Sequence, residues 1–260
     1  MSVYKLVVKK FRLTRRRLLL AGLASGAIAL AYAFLEKIKP GAEVKLNHEE
    51  AVDTSTLKRL KLPEPSYKSP VSIEEALLLR RSIREYEDEP LTLQQVSQLL
   101  WSAQGITLPT YGFRTAPSAG ATYPLEVYVV VKEGGVRELE AGIYHYLPKS
   151  HELELVKLGD YSVELMKAAL DQEWVRDAAI NFVINAVYER TTRRYGDRGI
   201  RYVHMEVGHV GQNVYLQCIS LGLACVVIGA FYDEEVKRIV GGIGEPLYII
   251  PIGVKPGGWR

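Results

Sequence analysis

The sequence predicts an α+β fold: a central, largely antiparallel sheet flanked by helices. Three observations carry this. Apolar, β-rich runs recur at 125–131, 178–188, 224–230 and 247–254. Helical patterns fall between them at irregular intervals, without the strict βαβ alternation of a parallel sheet. Two helix starts are marked by Ser72-Ile73-Glu74-Glu75 and Thr92-Leu93-Gln94-Gln95, each a hydroxyl followed at the third position by Glu or Gln.

In chain order, Ser72 opens a helix that runs to about Arg81. Thr92 opens a second, in which Leu93, Val96, Leu99 and Leu100 form an apolar stripe of near-helical period. A long loop is expected at 104–124, and loops of that length inside compact domains are usually functional. Residues 125–131 read as a strand, and 142–147 and 152–158 as two strands turning at Pro148-Lys149-Ser150. A helix at 161–170 and a central strand at 178–188 follow. Residues 199–221 read as a long helix, with Val203, Val207, Val210, Val214 and Leu221 on one stripe and Gly222 as its C-terminal cap. A strand at 224–230, a short helix at 233–240 and a strand at 247–254 complete the series.

The net charge of +3 is unevenly placed. Residues 1–40 hold nine Lys and Arg against one acid, or +8, which leaves −5 for the remainder. A mildly acidic folded part lacks the basic footprint of a nucleic-acid binder. The two cysteines, Cys218 and Cys225, fall in apolar patterns and read as buried thiols rather than a disulfide. Glu206-Val207-Gly208-His209 has the Glu-x-x-His spacing of a helical iron site. No second such motif or set of facing carboxylates accompanies it, so no metal is expected.

Two stretches carry chemistry. Arg80-Arg81-Ser82-Ile83-Arg84-Glu85-Tyr86 sets three arginines and a hydroxyl at a helix end. Planar guanidinium groups recognise phosphate, bidentately where geometry allows. No glycine cradle of the G-x-x-x-x-G-K-[ST] or strand-linked G-x-G-x-x-G kind is present, so charged side chains must take that task. The alternative is a solvated basic turn neutralised by Glu85, Glu87 and Asp88. Pro117-Ser118-Ala119-Gly120-Ala121-Thr122-Tyr123-Pro124 is a proline-bracketed loop of small residues, where a flat ring can lie against backbone donors. Its alternative is an ordinary surface turn. Together the two stretches describe an anionic, planar cofactor, and FMN is the best candidate.

These residues resemble the nitroreductase family of flavin enzymes and, within it, the SagB-type dehydrogenases. The resemblance continues through Trp101-Ser102-Ala103-Gln104-Gly105, Gly142-Ile143-Tyr144-His145-Tyr146, Tyr195-Gly196-Asp197-Arg198, Glu206-Val207-Gly208-His209, Gln212-Asn213, Leu221-Gly222-Leu223 and Ile228-Gly229-Ala230, over roughly residues 66–260. It implies an intertwined homodimer with the flavin at the subunit interface. It implies phosphate and ring contacts from Arg80, Arg81, Ser82 and Arg84, and ring contacts from Pro117, Ser118, Ala119 and Gly120, reaching the partner subunit's flavin. Gln104 is a candidate for the ring edge, the backbone of Ile228, Gly229 and Ala230 for the flavin's neighbourhood, and Lys255 for the phosphate. Members that oxidise peptide azolines carry a Lys-Tyr pair where this chain has Arg194-Tyr195. Arginine stays charged and is a poor base. The expected reaction is therefore electron transfer from NAD(P)H or another donor to a small organic acceptor, with Tyr195 as the candidate proton donor. An azoline dehydrogenase and a membrane-tethered electron carrier without its own substrate are the other readings.

Residues 1–35 stand outside that resemblance. Seven basic residues, from Lys5 to Arg17, precede an uncharged apolar run at 18–35, the layout of an export signal or a membrane anchor. Thr14-Arg15-Arg16-Arg17-Leu18-Leu19 resembles the twin-arginine export motif, with a third arginine after the pair and leucine where phenylalanine is common. That route carries folded proteins, which suits a non-covalently held cofactor. The expectation is an exported or membrane-anchored protein, its folded part outside the cytoplasm. Residues 36–70, with Pro40, Pro63, Pro65 and Pro70, are expected to be a linker, and 71–260 the folded domain.

Overall fold

The computed structural model describes residues 58–257. Its main sheet has seven strands: β1 (Arg59–Lys61), β4 (Leu125–Val131), β5 (Gly142–Leu147), β6 (Glu152–Leu158), β7 (Ile180–Ala186), β8 (Leu223–Cys225) and β9 (Glu245–Val254). They run in the order β1-β6-β5-β4-β7-β9-β8, and every neighbouring pair is antiparallel. A separate two-stranded ribbon joins β2 (Ile106–Leu108) to β3 (Phe113–Arg114). Seven helices accompany them: α1 (Ile73–Leu79), α2 (Leu93–Gln104), α3 (Ser162–Ala168), α4 (Glu173–Asp177), α5 (Glu189–Tyr195), α6 (Arg198–Leu221) and α7 (Asp233–Val240).

The sheet is central because its middle strands are apolar on both faces. Side chains alternate across a strand. Along β4, Val127, Val129 and Val131 pack with Leu99 of α2 and with Val203, Val207, Val210 and Val214 of α6. Tyr128 and Val130 point the other way, into a second core with Leu165 of α3, Val175 of α4 and Val236 of α7. β7 divides likewise, with Phe182 and Ile184 in the first core and Val183 in the second.

The helix starts form as their sequences predict. Ser72 Oγ accepts from Glu75 N at 3.1 Å. At α2 the capping box is complete: Thr92 Oγ1 accepts from Gln95 N at 3.2 Å, and Gln95 Oε1 accepts from Thr92 N at 2.8 Å. Gly222 closes α6 in the left-handed region, at φ 68° and ψ 27°. Cys218 and Cys225 are free, buried thiols.

The structure adds two short helices that the sequence reading lacked, α4 and α5, and departs from expectation in three further places. The 104–124 segment contains the β2–β3 ribbon and a 3-10 turn at Ala119–Ala121. The strand expected at 224–230 ends at Cys225, after which Ile228 makes an isolated bridge to Ile249. Finally, the part of the expected 36–70 linker that is described is not a tether throughout. Residues 59–61 pair with β6, and Leu62, only 2% exposed, lies in the core. The Pro63 carbonyl accepts from Ser97 Oγ, a fully buried hydroxyl that also contacts His151 Nε2 at 2.8 Å. Residues 36–57 lie outside the described residues, as does the candidate signal at 1–35 with Arg15 and Arg16. Among the described residues no helix is long and apolar enough to cross a membrane.

If 58–66 belongs to the folded unit, Leu62→Ala should destabilise it by about 2–5 kcal/mol, the usual cost of emptying a buried leucine site. Urea unfolding would show this. An unchanged midpoint would return the segment to the linker.

Candidate functional site

The proline-bracketed loop is held by α5. β4 pairs with β7 from Leu125↔Ala186 onward, so the residues before β4 lie beside those after β7. Val187 N donates to Pro124 O at 2.8 Å and continues the ladder. α5 then runs back along the loop. Arg190 Nη1 donates to Tyr123 O at 3.2 Å, Thr191 Oγ1 meets Thr122 Oγ1 at 2.8 Å, and Arg194 Nη1 donates to Gly120 O at 3.2 Å. These positions share one helix face, since side chains three and four residues apart are neighbours. Arg190 is itself paired with Glu126, whose other oxygen meets His145 Nε2 at 2.7 Å. Burial opposes the charge on Glu126, and His145 and Arg190 outweigh it, so its pKa falls below the usual range.

Gly120 sits at φ 61°. A Cβ there would stand 2.6 Å from Tyr195 Oη and 2.7 Å from Arg194 Nη1; those side-chain tips could shift, so it is the left-handed backbone that favours glycine. The predicted pair Arg194-Tyr195 and the predicted ring loop are therefore in direct contact. Ala121 and Tyr123 also have positive φ, at 53° and 45°. Such strain persists where the surroundings over-determine it, and it gathers at functional sites. Pro117 and Gly120 are exposed, and Ser118 and Ala119 are half-buried.

Beneath the loop lies a buried polar cluster. Gln104, fully buried at the end of α2, accepts from Arg114 Nη1 at 2.8 Å through Oε1, while its Nε2 has no partner. Arg114, from β3, stacks on Tyr123 at 4.6 Å and leaves its Nε unpartnered. Burial lowers the Arg114 pKa, with Glu126 and Glu206 working against that shift. Glu206 of α6 is 2% exposed. Burial pushes its carboxyl up to about 7, against the opposing pull of Ser118, Arg114 and Gln104 beside it. Its Oε1 still has no well-aligned partner. Sequence reasoning missed Arg114 and this role of Glu206. The signal for Glu206 was an acid within the valine stripe of α6, three residues after Val203 and four before Val210. His209, its partner in the Glu-x-x-His spacing, is exposed.

The arginine stretch gathers elsewhere. Tyr215 of α6 is its hub: Arg80 lies over the ring at 5.1 Å, and Ser82 Oγ meets the phenol at 2.8 Å. The phenol also accepts from Val227 N at 2.9 Å, which ties the stretch to the chain leading into Ile228, Gly229 and Ala230. Arg84 lies over Trp174 at 5.4 Å, and Arg81 Nη1 donates to the carbonyls of Leu78 and Arg80. Among the described residues, none of Arg80, Arg81 and Arg84 pairs with a carboxylate. Asp88 pairs with Lys132, and Glu87 accepts from Gly257 N. Among the described residues no ion pair to Glu85, Glu87 or Asp88 neutralises the stretch, and Arg81, Ser82 and Arg84 are solvent-exposed. Gly229 and Ala230 are exposed, and Ile228 is buried. Lys255 follows β9, its backbone N donating to Gly222 O at 3.4 Å.

The predicted residues thus form two groups within one chain. Glu206 and Tyr215 mark them on α6, about 13 Å of helix apart. A groove of about 640 Å³ between residues 66–73, α2 and α6 contains none of the predicted residues. A smaller one of about 350 Å³ includes Gly229, with Tyr188, Phe231, Asp233 and Glu245 around it. Chemistry, not size, locates the candidate site.

Comparison with known proteins bears on the family and the fold. The sequence model of the Nitroreductase family matches residues 77–254. A Methanocaldococcus jannaschii protein named as a nitroreductase is 50% identical over 185 residues, 71% of this chain and 92% of its own. A Ralstonia eutropha crystal structure titled as a nitroreductase is 30% identical, covers 76% of this chain and 90% of that one, and superposes with a TM-score of 0.66. The microcin B17-processing protein McbC of Escherichia coli is 30% identical over 151 residues, 57% of this chain and 56% of McbC. The chain belongs to the nitroreductase family of oxidoreductases, and its likeness to McbC sets it beside the SagB-type dehydrogenases.

The position of Glu206 makes stability depend on pH in a stated direction. Its folded pKa lies above the ordinary value of 4.5, at about 7. Its contribution is then complete below pH ~4.5 and is lost as pH rises through about 7. Glu206→Gln, which cannot ionise, should gain on the wild type across that window by on the order of 3 kcal/mol. Denaturant titrations at pH 5 and pH 8 would read the difference. A gap between the two proteins that does not change with pH would contradict it.

Proposed function

We propose that the protein is an FMN-dependent oxidoreductase that passes electrons to a small organic acceptor and works as a homodimer. The observation that carries this reading is the arginine stretch, with Arg80 over Tyr215 beside Ser82 and Arg84 over Trp174, neither arginine paired with a carboxylate among the described residues. Arg80, Ser82 and Arg84 would hold the phosphate, with Arg81 and Lys255 adding positive charge nearby. The 117–120 loop and Gln104 would meet the ring. Arg114 Nε, buried without a partner, is a donor that suits a ligand edge or an ordered water. FMN held by these residues would supply hydride-transfer chemistry between a reduced donor such as NAD(P)H and the acceptor.

The chain's own groups divide the remaining work. Arg194 holds Gly120 O and keeps its charge, so it fixes the loop and cannot serve as a base. Tyr195 Oη stands against the same glycine, in reach of a small molecule lying on the loop, and is the candidate proton donor. Dimer formation is supported by exposed apolar side chains on one stretch, Tyr67, Ile73, Leu77 and Leu78, which a second copy would cover. It would also bring the two groups of site residues together from different subunits.

Likeness to McbC favours a second reading, dehydrogenation of a peptide-derived azoline. Arg194, where those enzymes carry lysine, counts against it.

Replacing Arg80 and Arg84 with alanine should release the flavin while the fold stays intact, read as loss of flavin absorbance with an unchanged far-UV spectrum. A colourless wild type from flavin-replete cells would refute the cofactor itself. Tyr195→Phe should slow turnover of the acceptor by ~10²-fold while reduction of the flavin by the donor stays normal. Equal turnover would make Tyr195 structural, and rapid oxidation of thiazoline or oxazoline peptides would move the assignment to the second reading.

A further inference from the structure

We propose that Gln172 and Trp174, at the turn joining α3 to α4, are positioning residues for the flavin site: Gln172 fixes the carbonyl of Ala230, and Trp174 fixes the guanidinium of Arg84. The inference rests on the flavin reading, which gives Ala230 to the neighbourhood of the ring and Arg84 to the phosphate.

The turn itself is strained. Leu170 and Asp171 both stand in the left-handed region, at φ 60° and 56°. Neither is glycine, and a leucine there is an outlier. Two bonds back into α3 hold them: Leu170 N donates to Lys167 O and Asp171 N to Met166 O, each at 3.1 Å. Leu170 is 46% exposed, so burial of its side chain does not account for the conformation. The reversal delivers Gln172 and Trp174 to the start of α4, and both reach residues of the candidate site.

Gln172 uses its amide group on two carbonyls. Its Nε2 donates to Ala169 O at 2.7 Å and to Ala230 O at 3.0 Å. Ala169 is fully buried, so the first carbonyl anchors the second. Beside this tie, Tyr232 N donates to Ala168 O at 2.8 Å. On the other side, Ile228 and Ile249 exchange two backbone bonds, at 2.8 and 3.0 Å. Residues 229–231 are therefore slung between β9 and the end of α3, and exposed Ala230 is fixed in mid-span by a side chain.

Trp174 acts on the other group. Arg84 lies over its ring at 5.4 Å, a cation–π contact. Contact with a ring uses up no N–H donor, so the guanidinium keeps its hydrogen-bonding edge. Trp174 and Phe231 both pack against the second core, to which Ala169 and Val175 belong. One turn thus reaches the ring-side segment and the phosphate-side arginine together.

The test separates the two contacts by ligand, because FMN and riboflavin differ by the phosphate alone. The full chain, freed of flavin, would be titrated with each as wild type, Gln172→Ala, Trp174→Leu and Trp174→Phe. Trp174→Leu should weaken FMN by about threefold to fivefold, the order of one cation–π contact, and leave riboflavin unchanged. Trp174→Phe keeps an aromatic face and should restore most of that loss. Gln172→Ala should weaken both ligands alike, by about fivefold, the usual size of one hydrogen bond. It should also shift the flavin absorbance bands, which Trp174→Leu leaves in place. Equal loss of both ligands in Trp174→Leu, or bands that do not move in Gln172→Ala, overturns the inference. Two further readouts need no flavin. The Arg84 Nε–H resonance should be displaced by the Trp174 ring in the wild type and return to its ordinary position in Trp174→Leu. Hydrogen exchange of the Tyr232 amide should rise in Gln172→Ala and stay at the wild-type rate in Trp174→Leu. A wild type that binds neither flavin yet shows both signatures defeats the cofactor reading alone. An undisplaced Arg84 resonance in the wild type overturns the inference even if Trp174→Leu folds poorly.

Discussion

The antiparallel register of β4 with β7 is the constraint on which the candidate site depends. Once Leu125 stands opposite Ala186, the chain entering β4 and the chain leaving β7 are neighbours. The loop at 117–124 and helix α5 are those two continuations. Arg190, Thr191, Arg194 and Tyr195 then meet Tyr123, Thr122 and Gly120 in reverse order. The register is itself secure, because β4 and β7 are buried on both faces, and a one-residue slip would exchange the contents of two different cores.

Against that rigid pair, α6 supplies contrast. Most of its buried positions are small or apolar and serve packing, yet Glu206 interrupts the stripe with a carboxylate. Burying a charge is costly unless it is paired and hydrogen-bonded. Here Arg114 offsets part of the cost and leaves a group poised between two protonation states. The same helix carries Tyr215 to the arginine stretch, so one rigid rod sets the spacing between the two halves of the site.

Legibility in the sequence followed the length and polarity of each element. α2 and α6 were readable because each keeps a helical period, and β4 and β7 because each is a seven-residue run rich in apolar, β-branched residues. β1 spans three residues, too short to show a period, and the prolines after it read as linker. α5 escaped for a different reason: Glu-Arg-Thr-Thr-Arg-Arg-Tyr has no apolar stripe, because the face it presents to the loop is made of arginine and threonine. Patterns built on hydrophobicity do not see a helix whose inward contacts are polar. The two chemical motifs were visible, since three arginines with a serine and a run of small residues are unusual on their own. That Arg194-Tyr195 touches one of them was not visible, because the contact is made by strand register and not by spacing along the chain. Glu206 was noticed, but as half of a spacing whose other half, His209, faces outward.

The sheet's two margins share a property that bears on how copies of the protein can meet. One margin is β1, three residues long and bearing Arg59 and Lys61. At the other, the segment after α1 lies along the outermost strands: Ile83 N donates to Cys225 O at 3.0 Å, and Glu87 bridges to Val254. Short, charged or covered borders resist the addition of a further strand from a neighbouring molecule. Among the described residues, growth of the sheet from copy to copy, the usual route to ribbon-like aggregates, is thus discouraged at both margins, though β1 covers only Glu152–Glu154 of β6. Association through side chains on the helical faces, where shape and composition can select one partner and one geometry, is favoured in its place.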